Sequence, residues 1–248
     1  MTIRGINMSH KMVSVKGLHH SYVDNLVLNN INLSIDKGEI FGILGPSGSG
    51  KTTLVKAIAG ILSIQEGEIH IDKTKVPSLS LLQSIGYMAQ SDALYHELTA
   101  LENLEFFASI YQLERNNRKN AILHVLDLVN LSDSINKVVD QFSGGMKRRL
   151  SLASSLMHQP KLLILDEPTV GIDPIIREQI WTELRKLKNQ GVTIIITTHV
   201  MDEAEKCDRL AMLRNGEIIA CDTPGQLMNN SGANRLEDVF LVYGRDEQ

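Results

Sequence analysis

The sequence predicts an α/β fold: a mixed, largely parallel sheet with an N-terminal antiparallel β region and an inserted α-helical subdomain. Short unbroken apolar runs, such as residues 162–165, are typical of parallel strands that are buried on both faces. Residues 27–35 instead alternate apolar and polar side chains, as a half-solvated antiparallel strand does. Residues 92–159 carry apolar side chains at helical spacing and no strand-like run, which predicts a helical insertion.

The first part of the core is expected to consist of strands, turns and one helix. The strands are predicted over residues 13–22, 27–35, 40–44, 68–72 and 85–88. A turn is expected at Asp24-Asn25 and another over residues 36–39, because both contain residue types that favour turns. A helix is predicted from residue 54 to about Gly60.

The core is expected to resume after the helical insertion, in which polar residues 114–120 are predicted to form a solvated loop or a helix end. The predicted elements are strands over 162–165 and 192–196, helices over 175–189 and 202–207, and a hairpin of 210–213 with 217–220 around Asn215-Gly216. The tail beyond the hairpin is polar, with a predicted helix over 236–243, and is expected to be a short packed or frayed segment.

These elements indicate a single domain over residues 1–248. Its parts are a core of about 13–91 and 160–225, a helical subdomain of about 92–159 and a C-terminal tail of 226–248. A length of 248 residues suits one domain with a subdomain, and a hydrophobic share of 43% is enough for a sizeable core.

Charge, cysteines and hydropathy restrict the classes of function. A net charge of -4 argues against a global positive field that would hold nucleic acid or an anionic membrane. Cys207 and Cys221 lie far apart, so we expect a reducing compartment and neither a disulfide scaffold nor a zinc site. No apolar run approaches the ~20 residues of a membrane span, and residues 1–15 lack the apolar core of a signal peptide. We therefore expect a soluble chain, with any membrane spans supplied by other chains.

One glycine-rich stretch predicts a phosphate-binding loop. The pattern G-x-x-x-x-G-K-[ST] is matched by Gly45-Pro46-Ser47-Gly48-Ser49-Gly50-Lys51-Thr52-Thr53, between a predicted strand and a predicted helix. Glycines let several N–H groups face one anion, and the helix adds the positive end of its dipole. Lys51 is placed to contact the β- and γ-phosphates, and the Thr52 hydroxyl is placed to bind Mg²⁺. The alternative is a glycine-rich turn that binds nothing. We therefore predict a P-loop NTPase core.

Polar side chains also follow the other buried strands of the predicted core. Gln90 follows the strand over 85–88, Asp166 and Glu167 follow the strand over 162–165, and His199 follows the strand over 192–196. The carboxyl ends of parallel strands meet at one edge of a sheet, where ligands bind. We therefore expect these side chains to converge on the P-loop.

Each of these residues has a role suited to nucleotide hydrolysis and a plainer alternative. A buried Asp166 needs a partner such as Mg²⁺, and Glu167 is placed to polarise the attacking water as general base; the alternative for both is helix capping. Gln90 can bind Mg²⁺ or water, or be a surface glutamine. His199 can reach a γ-phosphate, or be a packed or surface histidine. Tyr22 can stack on adenine or be an ordinary strand aromatic, and the residues alone leave that choice open.

At Phe142-Ser143-Gly144-Gly145-Met146 the motifs together resemble a known family. From about residue 13 to 227 the chain is similar to the nucleotide-binding domain of ABC transporters. The family's motifs occur in the family's order: A-loop Tyr22, Walker A 45–53, Q-loop Gln90, signature Ser143-Gly144-Gly145, Walker B 162–166, Glu167, D-loop Gly171-Ile172-Asp173 and H-switch His199. One motif could arise by chance, whereas this set in this order is highly specific.

The resemblance implies an ATPase whose site is completed by a second copy of the chain. In the family, two domains pack head to tail around two ATP molecules, so that Ser143 and Gly145 of one chain face the γ-phosphate bound by the other. The residues agree, because Ser143 can N-cap the helix that follows and glycines allow close approach to an anion. The resemblance also implies Asp173 as a nucleotide-binding residue, ATP and Mg²⁺ as cofactors, and an integral membrane permease as partner. It places the chain on the cytoplasmic face of the cell membrane, with no nucleic acid partner.

The signature departs from the commoner form of the family, because Phe142 replaces leucine and Met146 replaces glutamine. The string S-G-G-M-K-R-R looks like the ATP-binding subunits of ABC-2-type exporters, and residues 98–104 and 198–205 are similar to that branch too. The plainer interpretation of the basic triplet Lys147-Arg148-Arg149 is a solvated helix face. Three cations in the first turns of a helix oppose its dipole unless an anion is near.

Other classes of ATPase or GTPase fit the sequence less well. A soluble ABC ATPase of translation usually carries two cassettes, and this chain has one. A repair or chromosome ATPase separates its motifs by a long coiled coil, for which the space between Gln90 and Ser143 is too short. A GTPase needs an N-K-x-D string, which does not occur, and a non-catalytic regulator would not need Glu167 and His199. The transported molecule is not encoded in these motifs.

Overall fold

The computed structural model describes residues 11–23 and 25–243, and within these ranges the secondary structure is mixed α/β. The strands are β1 Lys11–Tyr22, β2 Asn25–Asp36, β3 Ile40–Leu44, β4 Glu66–Ile71, β5 Thr74–Lys75, β6 Ile85–Met88, β7 Leu162–Asp166, β8 Thr193–Thr198, β9 Arg209–Arg214 and β10 Glu217–Asp222. The α-helices are α1 Lys51–Ile58, α2 Ala100–Ile110, α3 Arg115–Leu128, α4 Gly144–Leu156, α5 Pro174–Asn189, α6 Met201–Ala204, α7 Pro224–Ser231 and α8 Leu236–Tyr243. None of the helices in these ranges is long and apolar enough to cross a bilayer.

The N-terminal antiparallel region forms a sheet with the strand order β2-β1-β4-β5. Val13 of β1 lies opposite Ile35 of β2 on one side and Ile71 of β4 on the other. All three side chains are buried, which explains the alternation of apolar and polar residues in these strands. Of the turn expected at Asp24-Asn25, Asn25 is the first residue of β2 and Asp24 lies outside the described residues.

The second sheet has the order β10-β9-β3-β8-β7-β6 and positions the candidate site. Strands β9, β3, β8, β7 and β6 run parallel, and β10 pairs antiparallel with β9. Every residue of β3, β7 and β8 is buried, so their sequences are continuous apolar runs rather than alternating ones. Because the five strands are parallel, the residues that follow β3, β6, β7 and β8 lie at the same edge of the sheet.

The helical insertion packs around buried apolar residues of α2, α3 and α4, among them Leu104, Val125 and Leu150. Within residues 92–159 there is no strand, only an isolated bridge between Thr99 and Val138. Of the two alternatives expected at 114–120, the structure shows the helix end, because Glu114 is the N-cap of α3 and the helix begins at Arg115. Its first turns are polar because they are mostly exposed to solvent, and the helix is held by apolar residues farther along.

Among the described residues, the elements that were not predicted are the two-residue strand β5, the helix α7 and three short 3₁₀ helices, Leu79–Leu81, Ser132–Ser134 and Val139–Gln141. A signal for α7 was present, because Thr223 caps it and Pro224 occupies its first position. The predicted helix over 202–207 is shorter and ends at Ala204. The described part of the tail is packed, because Leu227 and Val239 are buried in a cluster with residues of β3 and β9.

Candidate active site

The glycine-rich loop connects β3 to α1 at the carboxyl edge of the parallel sheet. A Cβ on Gly45 would lie 2.3 Å from the carbonyl oxygen of Leu213, and Gly50 has a φ of 103°, so both positions require glycine. The Lys51 ammonium is buried and folds back over the loop, donating hydrogen bonds to the carbonyl oxygens of Gly45 at 2.8 Å and Pro46 at 3.0 Å. Burial lowers its pKa, an effect that nearby carboxylates oppose. The loop therefore holds a desolvated cation beside its backbone.

Asp166 ends β7 as a fully buried carboxylate with one unsatisfied oxygen. The Thr197 hydroxyl donates a hydrogen bond to Asp166 Oδ1, whereas Asp166 Oδ2 has no hydrogen-bond partner. A buried carboxylate oxygen without a partner is costly, so a cation at this position would stabilise it. Among the described residues there is no cluster of three His, Cys, Asp or Glu side chains that could hold a metal. Mg²⁺ needs no such cluster where one carboxylate and substrate phosphates provide the oxygens.

Glu167 is the residue at which the predicted site residues meet. Its Oε1 lies 3.1 Å from His199 Nδ1 and 3.7 Å from Lys51 Nζ, and its Oε2 accepts a hydrogen bond from Gln90 Nε2 at 3.3 Å. Its carboxylate is only 12% exposed. The structure therefore brings Lys51, Gln90, Glu167 and His199 together, as the parallel strands predict.

The backbone of Glu167 is held in an unusual conformation. Its φ is 51°, in the left-handed region that side chains other than glycine rarely adopt. Its N–H lies 3.0 Å from the Thr197 hydroxyl oxygen and 3.2 Å from the Thr197 carbonyl oxygen. Such strained residues persist only where surrounding contacts hold them, and they concentrate at functional sites.

A second buried carboxylate, which the sequence analysis did not single out, lies behind the site. Glu203 accepts hydrogen bonds from the hydroxyls of Thr169 and of Thr198, the latter at 2.7 Å, and its side chain is 3% exposed. Arg177 Nε lies 3.9 Å from it. Glu203 thereby connects the segment after Glu167 to the strand end before His199. Periodicity alone could not reveal it, because its partner Thr169 is 34 residues away along the chain.

The segment 143–145 begins helix α4. The Ser143 hydroxyl accepts a hydrogen bond from the Met146 N–H at 3.3 Å, as expected of an N-cap. Ser143 and Gly144 are exposed, and a Cβ on Gly144 would have no atom within 4 Å. Among the described residues, no hydrogen bond or ion pair joins Ser143, Gly144 or Gly145 to Lys51, Asp166 or Glu167. Within one chain this helix start therefore presents open backbone to the surroundings.

The plainer interpretation of the basic triplet 147–149, a solvated helix face, does not describe Arg148, whereas Arg149 is partly exposed. Arg148 is buried and donates to four backbone carbonyl oxygens, those of Ala89, Gln90, Asp166 and Glu167. Arg149 donates to the carbonyl oxygens of Val129 at 2.9 Å and Asn130 at 2.7 Å. Partial negative charges on carbonyl oxygens thus replace the anion that the basic residues were expected to require.

Among the described residues, Tyr22 and Asp173 form no hydrogen bond, ion pair or ring contact with Glu167 or the side chains around it. Tyr22 ends β1 with 47% of its surface exposed, and its ring meets His20 edge-on at 4.8 Å between centroids. Asp173 caps α5 by accepting a hydrogen bond from the Ile175 N–H at 2.9 Å. Tyr22 therefore offers an exposed ring for stacking, and Asp173 has a structural role as an N-cap.

A family model described as "ABC transporter" matches residues 28–170, more than half of the chain. This chain belongs to the ABC transporter family. The matched segment contains the glycine-rich loop, Gln90, Ser143 and Glu167. The cassette is therefore a member of a family of ATPases, and its mixed α/β fold with a helical insertion is the fold of that family.

Two relatives and one solved structure agree with this assignment. "ABC transporter G family member 23" of Dictyostelium discoideum is 38% identical over 96% of the chain, and the cassette spans 34% of that protein. "Nod factor export ATP-binding protein I" of Bradyrhizobium diazoefficiens is 38% identical over 97% of the chain, and the cassette spans 79% of that protein. The fold superposes with a TM-score of 0.79 on a dimeric post-hydrolysis structure of the ATP-binding cassette MJ0796 bound to ADP and Pi. That structure is 31% identical, and the match covers 86% of this chain and 98% of the other.

Proposed function

We propose that this chain is the ATP-binding and ATP-hydrolysing subunit of an ABC exporter, which powers transport through a separate membrane subunit. The family match and the name of the Nod factor export relative support ATP-driven export. The single observation that carries the catalytic assignment is the convergence of Lys51, Gln90 and His199 on the Glu167 carboxylate. Transport by this family consists of closure of an ATP-bound dimer followed by reopening after hydrolysis.

Glu167 is the general base of this proposal. A carboxylate with 12% exposure at the edge of the nucleotide site can accept a proton from an attacking water that it orients. His199 Nδ1 holds one carboxylate oxygen and the Gln90 amide holds the other, so both oxygens have a defined direction. His199 and Lys51 can also interact with the γ-phosphate, where most of the catalytic stabilisation in this chemistry occurs.

The glycine-rich loop binds the phosphates. The backbone N–H groups of residues 47–53, with the start of α1, provide donors to the β- and γ-phosphates, and the Lys51 ammonium provides a charge. The ammonium now donates to two neutral carbonyl oxygens, which a phosphate can replace, and lies 3.7 Å from Glu167 Oε1. The exposed ring of Tyr22 stacks on the adenine.

Asp166, Thr52 and Gln90 are the residues that would hold Mg²⁺. The fit rests on Asp166 Oδ2, a buried carboxylate oxygen without a partner, together with hydroxyl and amide oxygens of the kind that Mg²⁺ binds. When bound, Mg²⁺ neutralises developing charge on the phosphates. Thr197 keeps Asp166 directed by donating its hydroxyl to Oδ1.

Each site is proposed to be completed by a second copy of the chain in a head-to-tail dimer. The exposed start of α4 at Ser143, Gly144 and Gly145 offers backbone donors and a helix dipole to an anion outside its own chain. The dimeric form of the similar cassette MJ0796 supports this arrangement. Asp173 is proposed to lie near the shared site as well. A C₂ dimer then contains two equivalent ATP sites.

The proposed location is the cytoplasmic face of the cell membrane, through contact with an integral membrane permease. No nucleic acid partner is proposed, because the net charge is -4. A soluble ATPase of translation or repair is the alternative. Purification in mild detergent separates the two, because a transporter subunit co-purifies with one multispanning membrane protein and a soluble ATPase does not.

The catalytic assignment is tested by Glu167→Gln. We expect the variant to bind ATP with unchanged affinity, to lose nearly all turnover and to accumulate as an ATP-bound dimer. Glu183→Gln is the matched control, because Glu183 is a carboxylate of α5 that is 26% exposed and pairs with Lys186. Hydrolysis by Glu167→Gln at the wild-type rate would contradict the assignment.

The composite site is tested by mixing two inactive variants. In a mixed dimer of Lys51→Ala with Ser143→Ala, one site combines both lesions and the other is intact. We therefore expect each variant alone to be inactive and the mixture to recover hydrolysis. Wild-type activity of either variant alone would contradict a site that needs both chains.

A further inference from the structure

Arg148 of helix α4 donates four hydrogen bonds to backbone carbonyl oxygens near the candidate site. Its Nη1 donates to the carbonyl oxygens of Ala89 at 2.8 Å and Gln90 at 2.6 Å. Its Nη2 donates to the carbonyl oxygens of Asp166 and Glu167, the latter at 2.6 Å. One buried guanidinium thus joins α4 to the segments that follow two neighbouring strands, β6 and β7.

These carbonyls belong to the backbone that carries the site. Gln90 and Glu167 also bond to each other through their side chains at 3.3 Å. Glu167 has a left-handed φ of 51°, its N–H is bound by Thr197, and its carbonyl is bound by Arg148. Its backbone is therefore held on both sides, and the direction of its carboxylate depends on Arg148.

The position of Arg148 along α4 connects this arrangement to the exposed helix start. Arg148 lies five residues after the N-cap Ser143, or about 7.5 Å along the helix axis. A displacement of α4 therefore moves Arg148, which binds the carbonyl oxygens at both strand ends. In the proposed dimer, such a displacement accompanies contact between the helix start and the nucleotide of the second copy.

We infer that Arg148 is a positioning residue for ATP hydrolysis, whose guanidinium sets the backbone of Gln90 and Glu167 and connects both to helix α4. This inference rests on the proposed function, in which Glu167 is the general base. Arg148 need not touch the nucleotide, because its hydrogen bonds all go to backbone carbonyl oxygens of its own chain. Two separate nitrogens are required, since no single nitrogen reaches the carbonyls of both strand ends in this geometry.

Arg149, the next residue of the same helix, provides a matched control. It also donates to two backbone carbonyl oxygens, but with the single nitrogen Nη1 and at Val129 and Asn130, after the end of α3. A lysine ammonium has several donors on one nitrogen, so lysine can replace Arg149 in this role. The same lysine at Arg148 keeps the charge but cannot span the two strand ends.

The experiment compares Arg148→Lys and Arg149→Lys in the full chain with its membrane partner. ATP turnover is measured as a function of ATP concentration, and kcat is normalised to the fraction of protein that binds a fluorescent ATP analogue. This normalisation keeps the comparison valid if one variant folds in lower yield. Wild type and Glu167→Gln are measured in parallel to test the proposed function by itself.

We expect Arg148→Lys to lower kcat by about 10- to 100-fold, because a misplacement of reacting groups by about 1 Å costs on that order. Its affinity for ATP should stay within about twofold of wild type, because the phosphate loop is intact. Arg149→Lys should keep both quantities within about twofold of wild type.

Equal kcat values for the two variants would overturn the role of Arg148, and so would a loss of ATP affinity with kcat unchanged. Wild-type turnover by Glu167→Gln would instead overturn the proposed function, and a wild type without ATP hydrolysis would overturn both.

Discussion

Thr197→Val removes one hydroxyl at the end of β8 while keeping a side chain of similar shape, and it tests how Asp166 is held. The hydroxyl donates to Asp166 Oδ1 and accepts a hydrogen bond from the Glu167 N–H at 3.0 Å. The N–H keeps a second partner in the variant, because the Thr197 carbonyl oxygen lies 3.2 Å away. Asp166 is left with no hydrogen bond on Oδ1, in addition to its unpartnered Oδ2.

The size of the effect follows from the burial of this carboxylate. Asp166 is fully buried, and a hydrogen bond to a charged group contributes about 1.5–3 kcal/mol. We expect Thr197→Val to lower the free energy of unfolding by about 2 to 3 kcal/mol in metal-free protein at pH 7. Turnover should fall by about tenfold or more, because Asp166 loses the group that directs it toward the proposed Mg²⁺. The Mg²⁺ concentration for half-maximal turnover should rise.

Urea unfolding followed by tryptophan fluorescence measures the stability, because Trp181 is the single tryptophan and is buried. Thr193→Val is the control, since Thr193 is also buried in β8 and its hydroxyl accepts from the Gly38 N–H at 2.9 Å, away from Asp166. It should destabilise the protein without changing the Mg²⁺ dependence. A loss below about 0.5 kcal/mol for Thr197→Val, or an identical change in Mg²⁺ dependence for both variants, would refute the reasoning.

Three further outcomes follow from the described contacts. Burial raises the pKa of Tyr87 from its ordinary value of 10 to about 12. The free energy that Tyr87 contributes to stability is therefore complete below pH 10 and is lost as the pH rises toward 12. Absorbance titration should show the raised pKa, and Tyr87→Phe should remove this loss of stability. Thr99→Ala breaks a capping box with Glu102 and should cost about 1 kcal/mol in urea unfolding, whereas a change within 0.3 kcal/mol would contradict the box. Glu203→Gln leaves one acceptor oxygen for two threonine hydroxyls, so we expect a thermal midpoint lower by several degrees, and an unchanged midpoint would show that these hydrogen bonds contribute little.

Local patterns in the sequence were sufficient to predict most of the fold. Period-two alternation predicted β2, continuous apolar runs predicted β7 and β8, and helical spacing predicted the insertion. The sequence left a loop and a helix end as alternatives at 114–120, because exposed first turns of a helix have the same composition as a loop. The short strand β5 has too few residues to produce a periodic signal.

The sequence predicted those residues of the candidate site that directly follow a parallel strand. Gln90, Glu167 and His199 each follow a parallel strand, so their meeting at one edge was expected. Gln90 Nε2 lies 3.3 Å and His199 Nδ1 lies 3.1 Å from an oxygen of the Glu167 carboxylate. The burial of Arg148 was not predicted, since a basic triplet in a helix has no local feature that distinguishes a buried member. Its partners are 18 to 59 residues away along the chain.

The sequence by itself determined which chemical groups this protein has, because the glycine-rich loop and the residues after the buried strands are local features with local physical causes. Only the tertiary structure decided how those groups are held. Thr197 directs Asp166, Arg148 binds the backbone around Glu167, and Glu203 accepts a hydrogen bond from the Thr169 hydroxyl. These contacts unite residues distant in the chain, and buried polar groups must find such partners wherever the fold brings them close.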